Sequence, residues 1–333
     1  MSWFDGLTGI RETSPVQVRE NLALQGQMLT SKVNGKSFHH GRLEIRSLAA
    51  LRSQIDSLRS SRRQIRLREV ISDSQSLHTD VTNAGALFQV ASQFNLLEMM
   101  GPYVTPEHGI GIYENDFTQG PACAIACGAG TIYRNYFAPV NGQNGQTELH
   151  QIDCLDGIGQ ILGNHDEQLW QMSNGYALAT ESGLQQISDR LLSSSETDRD
   201  EIRKQLQIGI HWDTQVTLHN SQHHVTQAFC SALPVAYSSV NSELWEPFAR
   251  LILEASYEAT FCAAVLNART TGQNRLYLTL LGGGAFGNDI AWIVEAIHRS
   301  AELYAWADLD VAIVSFCNSN PHVQRLAGQP SRI

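Results

Sequence analysis

The fold is decided by the stretch LTLLGGGAFGND, residues 278–289, in which an apolar run ends in three consecutive glycines. The residues that follow, IAWIVEAIHRS, have the apolar spacing of an amphipathic helix. A glycine turn between a strand and a helix start is a common phosphate-binding arrangement, because its backbone N–H groups point at the anion. The sequence therefore predicts that this turn binds a ligand that carries phosphate.

Two other interpretations of these glycines fit the rest of the chain less well. Gly282, Gly284 and Gly287 match the G-x-G-x-x-G pattern of dinucleotide-binding domains. Such a domain needs several further strands after the turn, whereas only one helix and one strand, LDVAIVSF, follow here. A turn that merely connects two elements would not need three consecutive glycines together with Phe286 and Asn288.

Composition limits the class of protein and its partners. The 333 residues, 42% hydrophobic and 17% charged, are typical of a globular protein with one large domain or two smaller ones. The net charge of −10 argues against nucleic acid as a partner, since nucleic-acid binders present a basic face. No window approaches the roughly 20 apolar residues of a membrane helix, so no membrane partner is expected.

The cysteines and the start of the chain predict a reducing location. The six cysteines form no C-x-x-C pair, and we expect most of them to be buried free thiols. The first residues, MSWFDGLTGI, lack the features of a signal peptide. We therefore expect a cytoplasmic protein, or one that is secreted into a reducing host cytosol without a cleavable signal.

Strand-like and helix-like segments alternate along most of the chain. Strands are predicted in the segments IRLREVIS, GALFQVASQFN, HVTQAFCSALPVAY, RLYLTLL and LDVAIVSF, with helices between them. This alternation predicts an α/β protein, a three-layer α/β/α sandwich with a mixed, mostly parallel sheet. We expect this domain to span residues 63–325, with an insertion near 141–210.

The first part of the chain has a different character. Residues 1–62 are polar, and Leu48, Leu51, Ile55 and Leu58 repeat at the spacing of an amphipathic helix. We therefore expect residues 1–62 to form an N-terminal helical extension or cap.

The order of segments in the C-terminal half resembles that of a macrodomain, the ADP-ribose-binding module. A helix that contains SYEATFCAA is followed by the strand RLYLTLL, the loop GGGAFG, a helix and a last strand. In the N-terminal half, LREVISDSQSLH, ALFQVASQFN and TQGPACAIA are similar to the family's first strand, second strand and helix-opening glycine loop. Within the superfamily, YENDFTQGPACAI and LTLLGGGAFGND look most like the divergent arginine-specific (ADP-ribosyl)hydrolase macrodomains. The resemblance implies a macrodomain-like fold that binds ADP-ribose.

Two predicted helix starts would neutralise the diphosphate of ADP-ribose with backbone N–H groups. They are formed by Thr118, Gln119 and Gly120 in one segment and by Gly282, Gly283, Gly284, Ala285, Phe286, Gly287 and Asn288 in the other. The resemblance further implies that Asp73 accepts a hydrogen bond from adenine and that Phe286 and Asn95 contact the distal ribose. The alternatives are a helix cap for Asp73, a core position for Phe286 and a turn cap for Asn95.

Cleavage of the glycosidic bond asks for a carboxylate, because the reaction passes through an oxocarbenium-like state and activates a water molecule. The candidates are Glu114, Asp116, Glu258 and Asp289. An acidic collar would also favour an arginine leaving group, since guanidinium pairs with carboxylates. Asp289 is equally consistent with a helix cap, Glu114 and Asp116 with solvated loop charge, and Glu258 with a helix surface.

The predicted function is binding of ADP-ribose and hydrolysis of mono-ADP-ribose from protein side chains, with arginine preferred and with no metal or cofactor. The pairs His39–His40 and His223–His224 lack metal-ligand spacing. A non-catalytic ADP-ribose reader is an alternative, because Ala122 stands where many deacylating macrodomains have an aspartate. The glutamate pair of poly(ADP-ribose) glycohydrolases is also missing, since CAIACGAG stands in its place. A hydrolase of a free ADP-ribose-type metabolite is a further alternative.

Overall fold

The computed structural model describes residues 2–59 and 65–328. Its strands are β1 (Leu22–Gln25), β2 (Met28–Ser31), β3 (Ser37–His39), β4 (Arg42–Ser47), β5 (Arg66–Ile71), β6 (Leu87–Ala91), β7 (Pro139–Val140), β8 (Gln143–Asn144), β9 (Trp170–Ser173), β10 (Tyr176–Ala179), β11 (Gln207–Gln215), β12 (His224–Cys230), β13 (Arg275–Leu278) and β14 (Asp310–Ser315). Its α-helices are α1 (Trp3–Thr8), α2 (Pro15–Asn21), α3 (Leu48–Ile55), α4 (Ser74–Thr79), α5 (Gln119–Ala126), α6 (Gly128–Tyr136), α7 (Asp156–Leu162), α8 (Glu181–Ser193), α9 (Glu196–Arg203), α10 (Ser242–Thr271), α11 (Ile290–Leu303) and α12 (Pro321–Ala327).

Seven strands of the described chain form the central sheet, in the spatial order β4-β11-β12-β6-β13-β14-β5. The five strands from β12 to β5 in this order are parallel to one another. Strand β11 runs antiparallel to both of its neighbours. The predicted mixed, mostly parallel sheet is therefore confirmed. The chain order of the predicted elements is also as expected: β5, β6, α5, α10, β13, α11 and β14.

Helices cover both faces of the sheet. On one face, α10 packs against α3, α8, α9 and α11 over a core that includes Leu87 and Ile293. On the other face, beneath α4 and α5, the ring of Phe88 stacks on the rings of His78 and Tyr277. Full burial of a side chain such as that of Phe88 contributes roughly 1.5–3 kcal/mol to the free energy of unfolding. These two cores hold the three layers together.

Helix α10, which is 30 residues long, carries much of the first core and was predicted from its apolar pattern. Asn241 caps its start, and Gly272, with a φ of 75°, ends it in the left-handed conformation. The hydroxyl of Tyr257 donates to the carbonyl of Thr279 at 2.7 Å and accepts from the N–H of Leu281 at 2.9 Å. Helix α10 thereby fixes the segment that leads from β13 into the glycine loop.

The prediction of a helical extension at residues 1–62 is wrong. This segment contains α1, α2, the antiparallel sheet β1-β2-β3 and strand β4, which joins the central sheet beside β11. Helix α3 does occur where it was predicted, and it buries Leu48, Leu51 and Ile55. The strands are three to six residues long, too short to show a clear period in the sequence. The predicted boundary between residues 62 and 63 lies outside the described residues.

The segment predicted as an insertion, 141–210, contains α7, the hairpin β9-β10, α8 and α9. Ser195 caps α9, because its side chain accepts a hydrogen bond from the N–H of Asp198. The segment also contains the start of β11, a nine-residue strand of the central sheet that was not predicted. Ile208, Ile210 and Trp212 alternate with polar residues or glycine, so a strand signal was available in this stretch. The regular strand ends at Asp213, which has a positive φ of 55° and where the pairing with β12 shifts.

The cysteines follow the expectation from composition. Cys123, Cys127, Cys154, Cys230 and Cys262 are buried free thiols, and Cys317 is exposed. Burial raises the pKa of the Cys123 thiol to about 12, so this group stays protonated. Within the described ranges, no helix combines the length and the apolar character needed to cross a bilayer.

Candidate ligand-binding and active site

The carboxyl ends of the parallel strands lie along one edge of the central sheet. The segments that follow β5, β6, β12 and β13 begin at this edge and carry, in that order, Asp73, Asn95, Ala232 and Gly282. In open α/β sheets, ligands bind outside the carboxyl ends of the strands. The fold therefore brings the main predicted binding segments to one edge.

The sheet opens at this edge between β6 and β13. The two strands pair over only two residues each, at the start of β6. Beyond that point the side chain of Gln119 replaces a strand, because its Nε2 donates to the carbonyl of Gln89 and its Oε1 accepts from the N–H of Ala91, both at 2.9 Å. The side chain of Gln119 thus anchors the start of α5 in the opening.

The glycine loop after β13 is a tight turn in which two glycines are required by the backbone. Gly282 and Gly287 have φ values of 75° and 69°. A Cβ on Gly282 would lie 2.5 Å from the Cβ of Ala232, and a Cβ on Gly287 would lie 2.7 Å from that of Ala236. The left-handed conformation alone costs other residues about 1–2 kcal/mol. The loop can therefore pack on segment 231–237 only with glycine at both positions.

Asn288 holds the far end of the glycine loop. It is buried, its Nδ2 donates to the carbonyl of Leu233 at 2.8 Å, and its backbone N–H donates to the carbonyl of Gly282 at 3.0 Å. The side chain of Asn288 therefore stabilises the loop. It is not exposed to a ligand, although Asn288 was among the residues predicted to bind the diphosphate.

The middle of the glycine loop presents backbone donors to solvent. Among the described residues, no acceptor is present for the N–H groups of Gly284, Ala285 and Phe286. Gly283, Gly284 and Ala285 are exposed. Consecutive free N–H groups in an exposed turn form an anion-binding nest. We refer to residues 284–286 as the first nest.

The start of α5 offers a second set of donors. The N–H of Thr118 donates to Oδ1 of Asp116 at 2.8 Å, while the N–H groups of Gln119 and Gly120 have no acceptor among the described residues. A Cβ on Gly120 would overlap the carbonyl oxygen of Ala91, so only glycine lets this helix start approach the end of β6 so closely. We refer to residues 118–120 as the second nest.

An aromatic cluster, defined as Tyr176, Tyr237 and Phe286, connects the glycine loop to two other segments. The centroid of the Tyr176 ring lies 5.3 Å from that of Phe286 and 5.2 Å from that of Tyr237. Phe286 is half-buried by these contacts, so both of its predicted roles stay open. Neither tyrosine was predicted from the sequence. The Asn174-Gly175 turn, a strong hairpin signal, could have located β10 and with it Tyr176.

Of the four predicted acids, Asp116 and Asp289 lie near this edge, whereas Glu114 contacts α1. The charge of Asp116 contributes, after burial and Tyr237, to raising the pKa of Tyr176, which places Asp116 beside the aromatic cluster. Glu114 is exposed and accepts from the backbone N–H of Trp3 at 2.9 Å. Asp289 is exposed and caps α11. Phe117, next to Asp116, is 94% exposed, which is unusual for a phenylalanine.

Glu258 does not belong to the site, and its prediction as a catalytic acid is wrong. Its side chain is 2% exposed, and it accepts hydrogen bonds from Nε of Arg52 at 2.6 Å and Nη1 of Arg299 at 2.7 Å. Burial works to raise the pKa of Glu258, but the two arginines outweigh it and lower that pKa. Glu258 therefore joins α10 to α3 and α11 as a buried anion.

The two remaining predicted contacts have structural partners. Asp73 caps α4 by accepting from the N–H of Ser76 at 2.8 Å, and these hydrogen bonds lower its pKa against the opposing effect of partial burial. Asn95 is fully buried, its Nδ2 donates to Gln151 at 2.8 Å, and the turn at Gly175 packs against it. Asn95 is thus covered by the β9-β10 hairpin, and its prediction as a ribose contact is not supported.

Glu98 is a buried acid that sequence reasoning missed. It is 1% exposed, and Nη2 of Arg134 donates to both of its oxygens at 3.2 Å. A Cβ on Gly120 would lie 3.2 Å from its Cγ, so Glu98 lies beneath the second nest. Burial raises the pKa of Glu98 to about 7, although Arg134 opposes this shift. The sequence does contain a signal for this residue: a single acid within the apolar run FNLLEMM indicates a buried, paired carboxylate.

Comparisons with known proteins add a distant structural likeness. No protein-family model and no curated protein matches the chain. Poly(ADP-ribose) glycohydrolase from Deinococcus radiodurans in complex with ADP-ribose is similar with a TM-score of 0.45 and 12% identity, over 86% of this chain and 94% of that chain. Poly(ADP-ribose) glycohydrolase from Thermomonospora curvata bound to the inhibitor ADP-HPD has a TM-score of 0.44 and 14% identity, over 94% of this chain and 95% of that chain. Likeness at this level assigns no activity and no site residue to this chain.

Proposed function

We propose that the protein binds ADP-ribose at the carboxyl edge of its sheet and hydrolyses mono-ADP-ribose from protein side chains, with arginine preferred. The observation that carries this proposal is the pair of nests, 118–120 and 284–286. Their free N–H groups, those of residues 119–120 and 284–286, lie at the same edge. A diphosphate has the charge and the oxygen acceptors that two such sets of donors match. The macrodomain resemblance of the surrounding segments supports ADP-ribose as the diphosphate ligand.

Backbone donors suit this ligand because the protein is acidic. With a net charge of −10, long-range attraction would not favour a dianionic diphosphate. The partial positive charge of a helix start and a row of oriented N–H groups acts at short range and needs no lysine or arginine. Phe117, next to the second nest, and Phe286, in the first nest, provide apolar surface for the sugar or the base.

Asp116 is the carboxylate that we propose for the chemical step. It lies beside the aromatic cluster, and one of its oxygens is held by the N–H of Thr118. Asp116 would accept a proton from a water molecule that attacks the anomeric carbon of the ribose. The C–N bond to the arginine breaks as the new C–O bond forms, and its electron pair leaves with the guanidine, which then takes up a proton.

The preference for arginine rests on charge. Asp116 and Asp289 give this edge an acidic rim, and carboxylates pair with guanidinium in a bidentate geometry. The exposure of Gly283, Gly284 and Phe117 favours a protein substrate over a small metabolite, which would be enclosed. The missing glutamate pair after the second nest argues against ADP-ribose polymers as substrates.

The proposal is tested by measuring ADP-ribose release from three proteins that carry the modification on arginine, glutamate or serine. We expect release from the arginine substrate only. Asp116→Asn, which keeps an oxygen to accept from Thr118, should lower kcat by roughly 10²–10⁴-fold. Asp189→Asn, on the exposed face of α8, is the matched control and should leave kcat unchanged. Equal release from all three substrates would overturn the arginine preference.

A non-catalytic reader of ADP-ribose is the second candidate, and one observation favours it. Each of the four predicted acids already accepts an intramolecular hydrogen bond: Glu114 from Trp3, Asp116 from Thr118, Asp289 from Ala291 and Glu258 from Arg52. A reader would bind ADP-ribose through both nests and release none from any of the three substrates. The same assay, combined with a binding titration, separates the two candidates.

A further inference from the structure

A second group of chemically active side chains lies at the opposite edge of the sheet. His39 of β3, Asp213 of β11 and His224 of β12 each offer one ligand atom, and these atoms all lie within 4.8 Å of one another. Strand β12 begins at His224 and ends at the candidate site, so the group lies roughly 20 Å from that site. The proposed ADP-ribose chemistry makes no use of it.

The three side chains are already oriented toward one another. Nδ1 of His224 lies 3.0 Å from Oδ1 of Asp213, and Nδ1 of His39 lies 2.8 Å from the backbone oxygen of Asp213 and 3.8 Å from Oδ2. The two imidazole rings are stacked, with centroids 4.8 Å apart and an angle of 9° between their planes. Asp213 therefore contacts both parallel imidazoles, that of His224 through its carboxylate and that of His39 through its backbone oxygen.

The backbone holds this group in place from three directions. Asp213 has a φ of 55° at the point where the pairing of β11 with β12 shifts, which turns it out of the regular strand. The N–H of His39 donates to Oε1 of Gln215 at 2.9 Å. A Cβ on Gly41 would overlap the carbonyl oxygen of Trp212, so glycine allows the chain after His39 to run directly against β11.

We propose that His39, Asp213 and His224 form a binding site for a divalent transition metal, with Zn²⁺ as the best match. Two imidazoles and one carboxylate are a ligand set that zinc uses when a fourth position is left to water. Bonds of about 2.0–2.2 Å place tetrahedral ligand atoms roughly 3.3 Å apart, which small side-chain rotations achieve here. Mg²⁺ and Ca²⁺ prefer oxygen ligands and would not select two histidines. In the described part of the chain, Asp213 has no lysine or arginine partner that would compete.

The site would tie the N-terminal segment to the central sheet. His39 belongs to the small sheet β1-β2-β3, whereas Asp213 and His224 belong to the central sheet. A metal that binds only when these elements are assembled stabilises the folded state by mass action. Metal would therefore raise the Tm of the protein by a few degrees.

The test uses the full chain without a polyhistidine tag, titrated with Zn²⁺ by calorimetry and with Co²⁺ by visible absorption. We expect one equivalent of metal to bind, with Co²⁺ bands of the intensity typical of a low coordination number. His224→Ala and Asp213→Asn should each weaken binding by at least about tenfold and abolish the metal-dependent rise in Tm. His219→Asn, an exposed histidine just beyond β11, is the matched control and should bind metal like the wild type.

Two results would overturn the proposal. One is the absence of saturable Zn²⁺ or Co²⁺ binding by the folded wild-type chain. The other is binding that is equally strong in His224→Ala and Asp213→Asn, since the metal would then occupy other residues. Far-UV circular dichroism of each variant, recorded without metal, establishes that weaker binding is not a consequence of unfolding.

Discussion

The region around Glu258 and the region around Asp116 use carboxylates in opposite ways. Glu258 is buried between Arg52 and Arg299, and every contact it makes is internal. Asp116 lies in a loop at the carboxyl edge of the sheet, where it accepts one hydrogen bond from Thr118. The difference shows that the partners of an acid decide its role, and that those partners can come from distant parts of the chain.

Glu98 refines this comparison because it is as buried as Glu258 but has one arginine instead of two. The pKa of Glu258 is lowered, whereas burial raises the pKa of Glu98 to about 7 in spite of Arg134. Desolvation opposes the charged form in both cases, and the number of nearby cations decides which effect is larger. The buried acids should therefore affect stability, whereas Asp116 should affect activity.

The largest effect on stability is expected from Glu258→Ala. Removing this carboxylate leaves Asp200 as the remaining carboxylate beside Arg52 and Arg299. The free energy of unfolding should therefore fall by about 3 kcal/mol, the low end for a broken buried ion pair. Glu201→Ala, an exposed residue of α9, is the control and should change it by less than about 0.5 kcal/mol. Urea unfolding measures the stability of both variants. If Glu258→Ala were as stable as the wild type but inactive, the assignment of Glu258 to the core would be incorrect.

The next largest effect is the pH dependence of the free energy of unfolding that Glu98 confers. Because its pKa is about 7 in the folded state and about 4.5 when unfolded, the folded protein holds an extra proton between these values. This stabilisation is fully present below about pH 4.5 and is lost as the pH rises through 7, with a change on the order of 2 kcal/mol.

Glu98→Gln cannot titrate and should lack this slope. Urea unfolding at pH 5 and pH 8 gives the comparison, and the wild type should lose more stability than the variant between the two. If the stability of the two proteins changed with pH in the same way, Arg134 would keep Glu98 charged over the whole range. Glu98 would then resemble Glu258, which its two arginines keep charged.

Substitutions in the glycine loop should have a smaller effect on stability. Gly287→Ala places a Cβ in a left-handed backbone against Ala236 and should destabilise the protein by roughly 1–2 kcal/mol. Gly284→Ala faces open space at a position without a positive φ, so the free energy of unfolding should stay within about 0.5 kcal/mol of the wild type. Thermal unfolding of the pair distinguishes a loop held in one conformation from a flexible connector, which would tolerate both changes equally.

The elements that the sequence predicts well have long, continuous patterns. The helix at Ser242–Thr271, the strand at Leu87–Ala91 and the glycine turn that begins at Gly282 all show their period or their turn chemistry within one short window. Strand Gln207–Gln215 was missed although Ile208, Ile210 and Trp212 alternate with polar residues or glycine up to Asp213, where the pairing shifts.

The site is predicted in part, since backbone features are local and side-chain partners are not. Glycines in two short windows point to unpaired backbone N–H groups, and the structure has such groups at the start of α5 and at residues 284–286 of the glycine loop. Tyr176 and Tyr237 reach Phe286 only through tertiary packing. Arg52, which removes Glu258 from the site, is 206 positions away in the chain. No pattern within a window of sequence could have supplied these contacts.

The most direct test of the account is a calorimetric titration of ADP-ribose into the wild type and two variants of the first nest. Ala285→Asp adds a negative charge beside the free N–H groups, and Ala285→Asn has nearly the same shape without the charge. We predict saturable binding of one ADP-ribose by the wild type, and binding by Ala285→Asp at least about tenfold weaker than by Ala285→Asn, because like charges repel in the bound state. No binding by the folded wild type, or equal binding by the two variants, would contradict the claim that the glycine loop holds the diphosphate.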